Sequence, residues 1–157
     1  MGKYGLQDAK PRSLPLDPAL RLTQAESDLL DAPTAASYSQ LVGSLLYLSV
    51  CTRPDIAQAV GALSKFMASP STVHWQAANG VLRYLAGTTH YGLNFGGSNT
   101  GLEGYCDADY AGDLDTRRST TGYVFILNGG ALSQSSKRQP TVAVSTSEAE
   151  YMALRML

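Results

Sequence analysis

The stretch YCDAD at residues 105–109 decides the fold of this chain, together with STSEAE at residues 145–150. Around the first stretch, side chains alternate as they do in a β-strand. In the second, a serine stands three residues before a glutamate, a spacing that predicts the first turn of a helix. A carboxylate from a strand and another from the next helix make half of a two-metal nuclease site. The printed chain ends seven residues after Glu150, so we expect the other half to be missing.

Two further strands are predicted beside the first. Residues 119–127 are rich in β-branched and aromatic side chains, which favour strands. NGG at residues 128–130 predicts a tight turn into a third strand at residues 131–136. The loop at residues 111–118 is expected to join the first two strands antiparallel. The pattern therefore predicts a three-stranded antiparallel meander, followed by the start of a helix.

The preceding part of the chain has helical periodicity. Apolar residues spaced by three and four predict helices over residues 35–51, from Pro54 to about residue 67, and over residues 74–85. We expect their apolar stripes to form a mutual core, because packing of an apolar face supplies most helical stability. Four prolines before residue 35 predict an irregular lead. The expected fold class is α+β, with a lead at 1–34, a helical segment at 35–100 and a β-rich segment at 101–157.

Composition limits the possible functions. The chain has 157 residues, of which 44% are hydrophobic and 16% charged, as expected for a globular protein with a core. Its net charge of −1 provides no general attraction to nucleic acid or to anionic lipid. No apolar run suits a secretory signal or a membrane span, so we expect a cytoplasmic protein with no membrane partner.

The isolated cysteines and histidines predict no site of their own. Cys51 and Cys106 have no metal-binding spacing and are expected to be reduced thiols. His74 and His90 are expected on the surface or at the edge of the core.

Among the acidic residues, Asp107 and Glu150 are the candidate catalytic residues and metal ligands. Asp107 is expected in mid-strand, and Glu150 at the edge of the buried stripe of its helix, where it can point across the end of the sheet. Glu148 is expected to cap that helix. Three further aspartates are expected in a solvated turn: Asp109, Asp113 and Asp115. The cofactor such a site would take is Mg²⁺, which prefers carboxylate and water oxygens.

Basic residues form two small pairs at predicted strand ends, namely Arg117 with Arg118 and Lys137 with Arg138. They are candidate contacts to nucleic-acid phosphates, which bind clustered positive charge. The alternative is that each pair is simply solvated, as basic pairs in turns commonly are.

Taken together, the motifs resemble the polymerase polyprotein of copia-type retrotransposons. The matching stretches are LVGSLLYL at 41–48, TRPDI at 52–56, HW at 74–75, LRYL at 82–85, GYCDAD at 104–109, STTGY at 119–123 and STSEAEY at 145–151. The resemblance implies a helical connection segment followed by the N-terminal half of a ribonuclease H-like domain. It also implies that Asp107 and Glu150 match the first catalytic aspartate and the catalytic glutamate. The substrate of that family is an RNA–DNA hybrid.

Three hypotheses for function follow from this resemblance. In the first, the chain is a retrotransposon-derived remnant that is not an enzyme, because its metal site is incomplete. In the second, it resembles secreted RxLR-type effectors of plant pathogens and acts on a host protein to suppress cell death. RYLA at residues 83–86 is a degenerate match to their host-entry motif. In the third, it is the N-terminal piece of an active hybrid nuclease whose reading frame continues.

Overall fold

The computed structural model describes residues 9–24, 28–97 and 101–156. Within them, the chain forms two compact units, one ending at Tyr91 and the other beginning at Gly92. Parts of the predicted lead (residues 1–8 and 25–27), the end of the predicted helical segment (residues 98–100) and Leu157 lie outside the described residues. The predicted domain boundaries stay a prediction.

The first unit is helical. Its elements are α1 (Ala32–Cys51), a single 3-10 turn (Pro54–Ile56), α2 (Ala57–Ser64) and α3 (Thr72–Gly87). α1 begins three residues before the predicted start, because a proline is tolerated in the first turn, where its missing N–H would have no helical partner. The predicted second helix is divided into the 3-10 turn and the short α2, and α3 extends beyond the predicted residues 74–85 at both ends.

The core of this unit confirms the predicted mutual packing. Apolar side chains from α1, α2 and α3 form one buried cluster that includes Leu41, Ile56, Leu63 and Val81. Four leucines of the lead, at positions 16, 20, 22 and 30, pack against the same cluster. The lead is therefore irregular in backbone but contributes apolar side chains to the helical core.

The second unit contains the predicted meander. Its strands are β1 (Glu103–Ala108), β2 (Thr120–Leu127) and β3 (Gly130–Arg138), which pair antiparallel in the order β1-β2-β3. The NG pair at 128–129 makes the turn between β2 and β3, with φ of 51° at Asn128 and 79° at Gly129. This positive-φ pair is the usual two-residue hairpin turn, so the turn prediction is confirmed.

One helix, α4 (Thr146–Leu154), packs against β1 and β2. With the helices of the first unit, the described residues form four α-helices and a three-stranded antiparallel sheet, which confirms the α+β class. No helix in the described part of the chain is long and apolar enough to cross a membrane.

Candidate functional site

Asp107 lies near the end of β1 and is exposed. Its neighbour across the ladder is Gly122, and the next pair along is Ala108 with Thr121. Thr121 is buried, and the side chain of Gln139 bonds both to it and to a carbonyl of α4. Helix α4 therefore covers the face of the sheet that carries Ala108 and Thr121. Because alternate residues of a strand point to opposite faces, Asp107 points to the face opposite the one that α4 covers. Opposite a glycine, its carboxylate meets no side chain across the ladder.

Glu150 lies in α4 and is exposed. The start of the helix is capped by the side chain of Ser145, which accepts a hydrogen bond from the Glu148 amide at 3.1 Å. The Glu148 carboxylate accepts from the amide of Val144 at 2.7 Å, one residue earlier than a reciprocal capping box would place it. Glu148 is therefore a structural residue, as predicted, which leaves the Glu150 carboxylate open to solvent.

The buried face of α4 is narrower than predicted. Ala149 and Ala153 are fully buried, whereas Met152 is half-buried and Met156 is exposed. Met156 lies beyond the end of the helix, so it cannot continue the stripe. Two small side chains let the helix backbone approach the sheet closely.

A residue that the sequence analysis missed fastens α4 to the sheet. Gln139 follows β3 and is only 2% exposed. Its side-chain amide donates to the Thr121 hydroxyl at 3.0 Å and to the carbonyl of Ala149 at 2.9 Å. The second bond is made at the residue immediately before Glu150. Gln139 therefore fixes the part of α4 that carries the candidate glutamate.

The aspartates after β1 have roles in the loop that joins β1 to β2. The carboxylate of Asp109 accepts a hydrogen bond from the amide of Thr120. Asp113 is buried, and its carboxylate accepts from the Thr116 amide at 2.9 Å and from the Arg138 guanidinium at 3.0 Å. The prediction of a solvated turn is therefore wrong for Asp113, because an ion pair compensates the burial of its charge.

The predicted basic residues separate into different environments. Arg138 forms an ion pair with Asp113. Asp113 lies on the same loop as Arg117 and Arg118. Arg117 is exposed and has a positive φ of 56°, Arg118 is half-buried, and Lys137 is exposed on β3. Arg138 thus has part of its charge neutralised within the protein, while Arg117 and Lys137 present theirs to solvent.

The described residues do not fit a magnesium pair by themselves. Across residues 9–24, 28–97 and 101–156, no three His, Cys, Asp or Glu side chains are grouped closely enough to hold a metal ion. Two bridging metal ions need more carboxylate oxygens than Asp107 and Glu150 can supply.

A second polar cluster, in the helical unit, surrounds Arg53 in the turn between α1 and α2. The buried guanidinium binds both oxygens of Asp55, at 2.9 and 2.7 Å, and also the carbonyl and hydroxyl of Thr88 just after α3. The Tyr84 hydroxyl donates to Asp55 at 2.7 Å. The Arg53 charge lies 5.6 Å from the ring centre of Tyr84 and 5.7 Å from that of Tyr91. This cluster joins the α1–α2 turn to the end of α3.

The electrostatics of this cluster agree with its geometry. Burial on its own raises the pKa of the Asp55 carboxyl, but hydrogen bonds from Arg53 and Tyr84 outweigh it and hold the pKa below its ordinary value. The hydrogen bond to Asp55 raises the pKa of the Arg53 guanidinium. Both groups are therefore charged near neutral pH, and the cluster acts as a structural clasp.

His74 is a correction to the sequence analysis. Its side chain is fully buried at the start of α3, where its ring stacks on Phe66 with 3.9 Å between ring centres. Its Nδ1 accepts a hydrogen bond from the Ser71 amide at 3.0 Å. His90, by contrast, is exposed and packs edge-on against Tyr91. Cys51 and Cys106 are free thiols, as expected.

The chain is similar to several known proteins. It is 48% identical over 159 residues to a retrovirus-related Pol polyprotein from transposon TNT 1-94 of Nicotiana tabacum, a match that covers 96% of this chain and 12% of that protein. It is 45% identical over 155 residues to the polyprotein from transposon RE1 of Arabidopsis thaliana, covering 98% of this chain and 10% of that protein. The chain thus spans about a tenth of the length of these polyproteins.

A third relative is of a different kind. The chain is 57% identical over 118 residues to secreted RxLR effector protein 161 of Plasmopara viticola, which covers 74% of this chain and 83% of that protein. No protein-family model matches the chain. No solved structure matches it either.

Proposed function

We propose that this chain, which is similar over nearly its whole length to retrovirus-related Pol polyproteins of transposons, carries half of a ribonuclease H-like nuclease site. In this proposal Asp107 is the strand aspartate and Glu150 the helix glutamate of that site. The 157-residue chain does not cut nucleic acid by itself and is not an enzyme as it stands. It is a retrotransposon-derived segment, resident in the cytoplasm.

The observation that supports the proposal is that β1 and α4, which carry the exposed carboxylates of Asp107 and Glu150, pack against each other, although Asp107 points to the face of β1 away from α4. Asp107 is on β1, and Glu150 is on α4, which Gln139 fastens to the sheet. Asp109 accepts from the amide of Thr120 at the start of β2, and Asp113 accepts from Thr116 of its own loop and from Arg138. Asp107 and Glu150 are therefore the two carboxylates that we assign to metal binding, and two carboxylates are too few for two ions.

The ancestral substrate in this proposal is an RNA–DNA hybrid. Arg117 and Lys137 are exposed, and Arg118 is half-buried, so these three are the proposed phosphate contacts of the sheet unit. Arg138 contributes less, since Asp113 already pairs with it. Phosphate contacts of this kind weaken as salt concentration rises, because binding releases counterions.

The test is cleavage of an end-labelled RNA–DNA hybrid by the whole chain in the presence of Mg²⁺. We expect the chain and its Asp107→Asn variant to give the same background. Glu148→Gln is the matched control, because Glu148 lies in the same helix turn but caps it. Cleavage that is lost in Asp107→Asn and Glu150→Gln but kept in Glu148→Gln would overturn the proposed inactivity.

A second candidate function is favoured by the effector relative. The chain is 57% identical to the secreted RxLR effector over 118 residues, against 48% over 159 residues for the tobacco polyprotein, and it spans most of the effector. In this alternative the chain is secreted into a host cell and binds a host protein. RYLA at residues 83–86 gives it little support: the stretch lies within α3, and its tyrosine is buried and bonded to Asp55.

The two candidates are separated by expressing the chain in plant leaf together with an inducer of cell death. The effector alternative predicts reduced cell death that is equal for the chain and for Asp107→Asn. Unchanged cell death would reject it.

A third possibility, an N-terminal piece of an active nuclease, is tested by sequencing the coding DNA downstream of Leu157. A continued frame with a further aspartate at a helix start would support that possibility.

A further inference from the structure

Helix α1 carries an exposed row of residues that is separate from its buried face. Along its 20 residues there is no charged side chain. Five exposed residues of α1 follow one another at alternating spacings of four and three: Ala36, Gln40, Gly43, Tyr47 and Val50. We call this row the α1 seam. A spacing of four and three keeps these residues on one face of the helix, as it does the contact positions of a coiled coil.

The α1 seam combines a gap with a projection. Apart from its own helix backbone and chain neighbours, a Cβ atom placed at Gly43 would meet no atom within 4 Å, so the helix surface there is open. One turn later, the large Tyr47 side chain is 74% exposed, as is Val50. The Cys51 thiol, one turn later on the same helix, interacts with the Tyr47 hydroxyl and raises its pKa. Its ring faces remain available for packing.

We propose that the α1 seam is an interaction surface for a second copy of this chain, with the two helices antiparallel. If Tyr47 of one copy lies against Gly43 of the other, the two-fold symmetry repeats that contact in the opposite sense. The same register places Val50 of each copy beside Gln40 of its partner. One helix therefore supplies both the projection and the gap that the pairing needs.

Charge favours the same occupant. A helix without charged residues can lie beside an identical helix without bringing like charges together, whereas a charged partner would meet no complementary charge along the seam. The inference does not depend on the proposed nuclease ancestry, because Asp107 and Glu150 belong to the other unit. Loss of either conclusion leaves the other intact.

The first experiment measures the mass of the whole chain in solution by sedimentation velocity over a range of concentrations. We expect a dimer whose population rises with concentration. Tyr47→Lys should abolish it, since it places a charge in the seam. Tyr151→Lys, at an exposed tyrosine of α4, is the matched control and should leave the dimer unchanged. A wild-type chain that stays monomeric at its highest soluble concentration would overturn the proposal.

A second variant separates loss of pairing from loss of folding. Gly43→Leu fills the gap, yet leucine favours a helix more than glycine by up to about 1 kcal/mol. The variant should therefore be at least as helical as the wild type by circular dichroism but monomeric. If Gly43→Leu remains a dimer, the contact between Gly43 and Tyr47 is wrong.

Disulfide trapping tests the direction of pairing. Two single variants, Gln40→Cys and Val50→Cys, are made in a chain carrying Cys51→Ser and Cys106→Ser. When the two variants are mixed and oxidised, they should form a disulfide-linked dimer that contains one chain of each variant. Antiparallel pairing brings position 40 of one chain beside position 50 of the other. Each variant alone should stay uncrosslinked. A parallel arrangement would crosslink Gln40→Cys to itself, and that result would contradict the proposal.

Discussion

The helical unit buries large apolar side chains, whereas the sheet unit buries small and polar ones. Among the described residues, the helical core includes Tyr38, Ile56 and Leu63, while the buried apolar side chains of the sheet unit are alanines 143, 149 and 153. The other buried residues of the sheet unit include Thr121 and Gln139. The helical unit is therefore stabilised mainly by burial of apolar area, and the sheet unit by its ladder and by specific hydrogen bonds.

This difference bears on function. Apolar packing tolerates changes of surface residues, so the helical unit can present an open seam on α1 without loss of its core. In the sheet unit, the two candidate carboxylates are exposed on elements whose contact depends on a few polar groups, above all Gln139. Geometry at Asp107 and Glu150 should therefore be more sensitive to single polar substitutions than the helical core is.

The largest expected effect is from Leu63→Ala in the helical unit. Leu63 is fully buried, and removal of its side chain should cost about 3 kcal/mol in free energy of unfolding, within the usual range for such cavities. Trp75 is the single tryptophan and lies in α3, so its fluorescence during urea unfolding reports on this unit. Leu102→Ala, at an exposed leucine of the sheet unit, should leave the fluorescence transition in place. Equal losses from both would refute the comparison.

The next effect in size is from Arg53→Ala. The substitution removes the bonds from Arg53 to Thr88 at the end of α3 and leaves Asp55 without its ion-pair partner. We expect a loss of about 2 kcal/mol, less than for a fully buried pair because a third of the Asp55 side chain is exposed. Urea unfolding followed by Trp75 fluorescence measures it. Arg21→Ala, at an exposed arginine of the lead, is the control and should have little effect.

In the sheet unit, Gln139→Ala should cost about 1–2 kcal/mol, because the Ala149 carbonyl loses its side-chain donor in a buried place. The effect should be concentrated in α4, which hydrogen exchange of its amides can show. Lys137→Ala, two residues earlier and exposed, should not change the exchange of α4. Faster exchange spread equally over the whole chain would contradict a local role for Gln139.

The smallest effect concerns acid stability. Because the folded pKa of Asp55 is held below its ordinary value of 3.8, its ion pair adds stability above that value. The contribution is lost as pH falls through the lower folded pKa. The urea concentration at the unfolding midpoint of the helical unit should therefore decrease as pH is lowered through this range. Asp55→Asn should make the plot of midpoint against pH flatter there. Asp107→Asn serves as a control at an exposed aspartate. If Asp55→Asn has the same dependence of the midpoint on pH as the wild type, the stabilising role of the Asp55 ion pair is refuted.

Much of the fold was predictable because it depends on local pattern. The helical stripes, the NG turn at 128–129 and the cap at Glu148 each involve residues a few positions apart, and all three are found in the structure. Boundaries were less accurate: α1 begins three residues earlier than predicted, with a proline in its first turn, and the second helix is divided into a 3-10 turn and α2. The catalytic and metal-binding roles of Asp107 and Glu150, and the nucleic-acid contacts, stay predictions.

The sequence by itself determined the order of elements and the resemblance to Pol polyproteins, because periodicity and short motifs are properties of neighbouring residues. Only the tertiary structure decided which polar residues are buried. Arg53 binds Thr88, which is 35 positions away in the sequence. Asp113 binds Arg138, 25 positions away, and Gln139 binds Thr121, 18 positions away. A polar side chain is stable inside a protein where a partner compensates its desolvation. Those partners come together when the chain folds, so local pattern cannot reveal them.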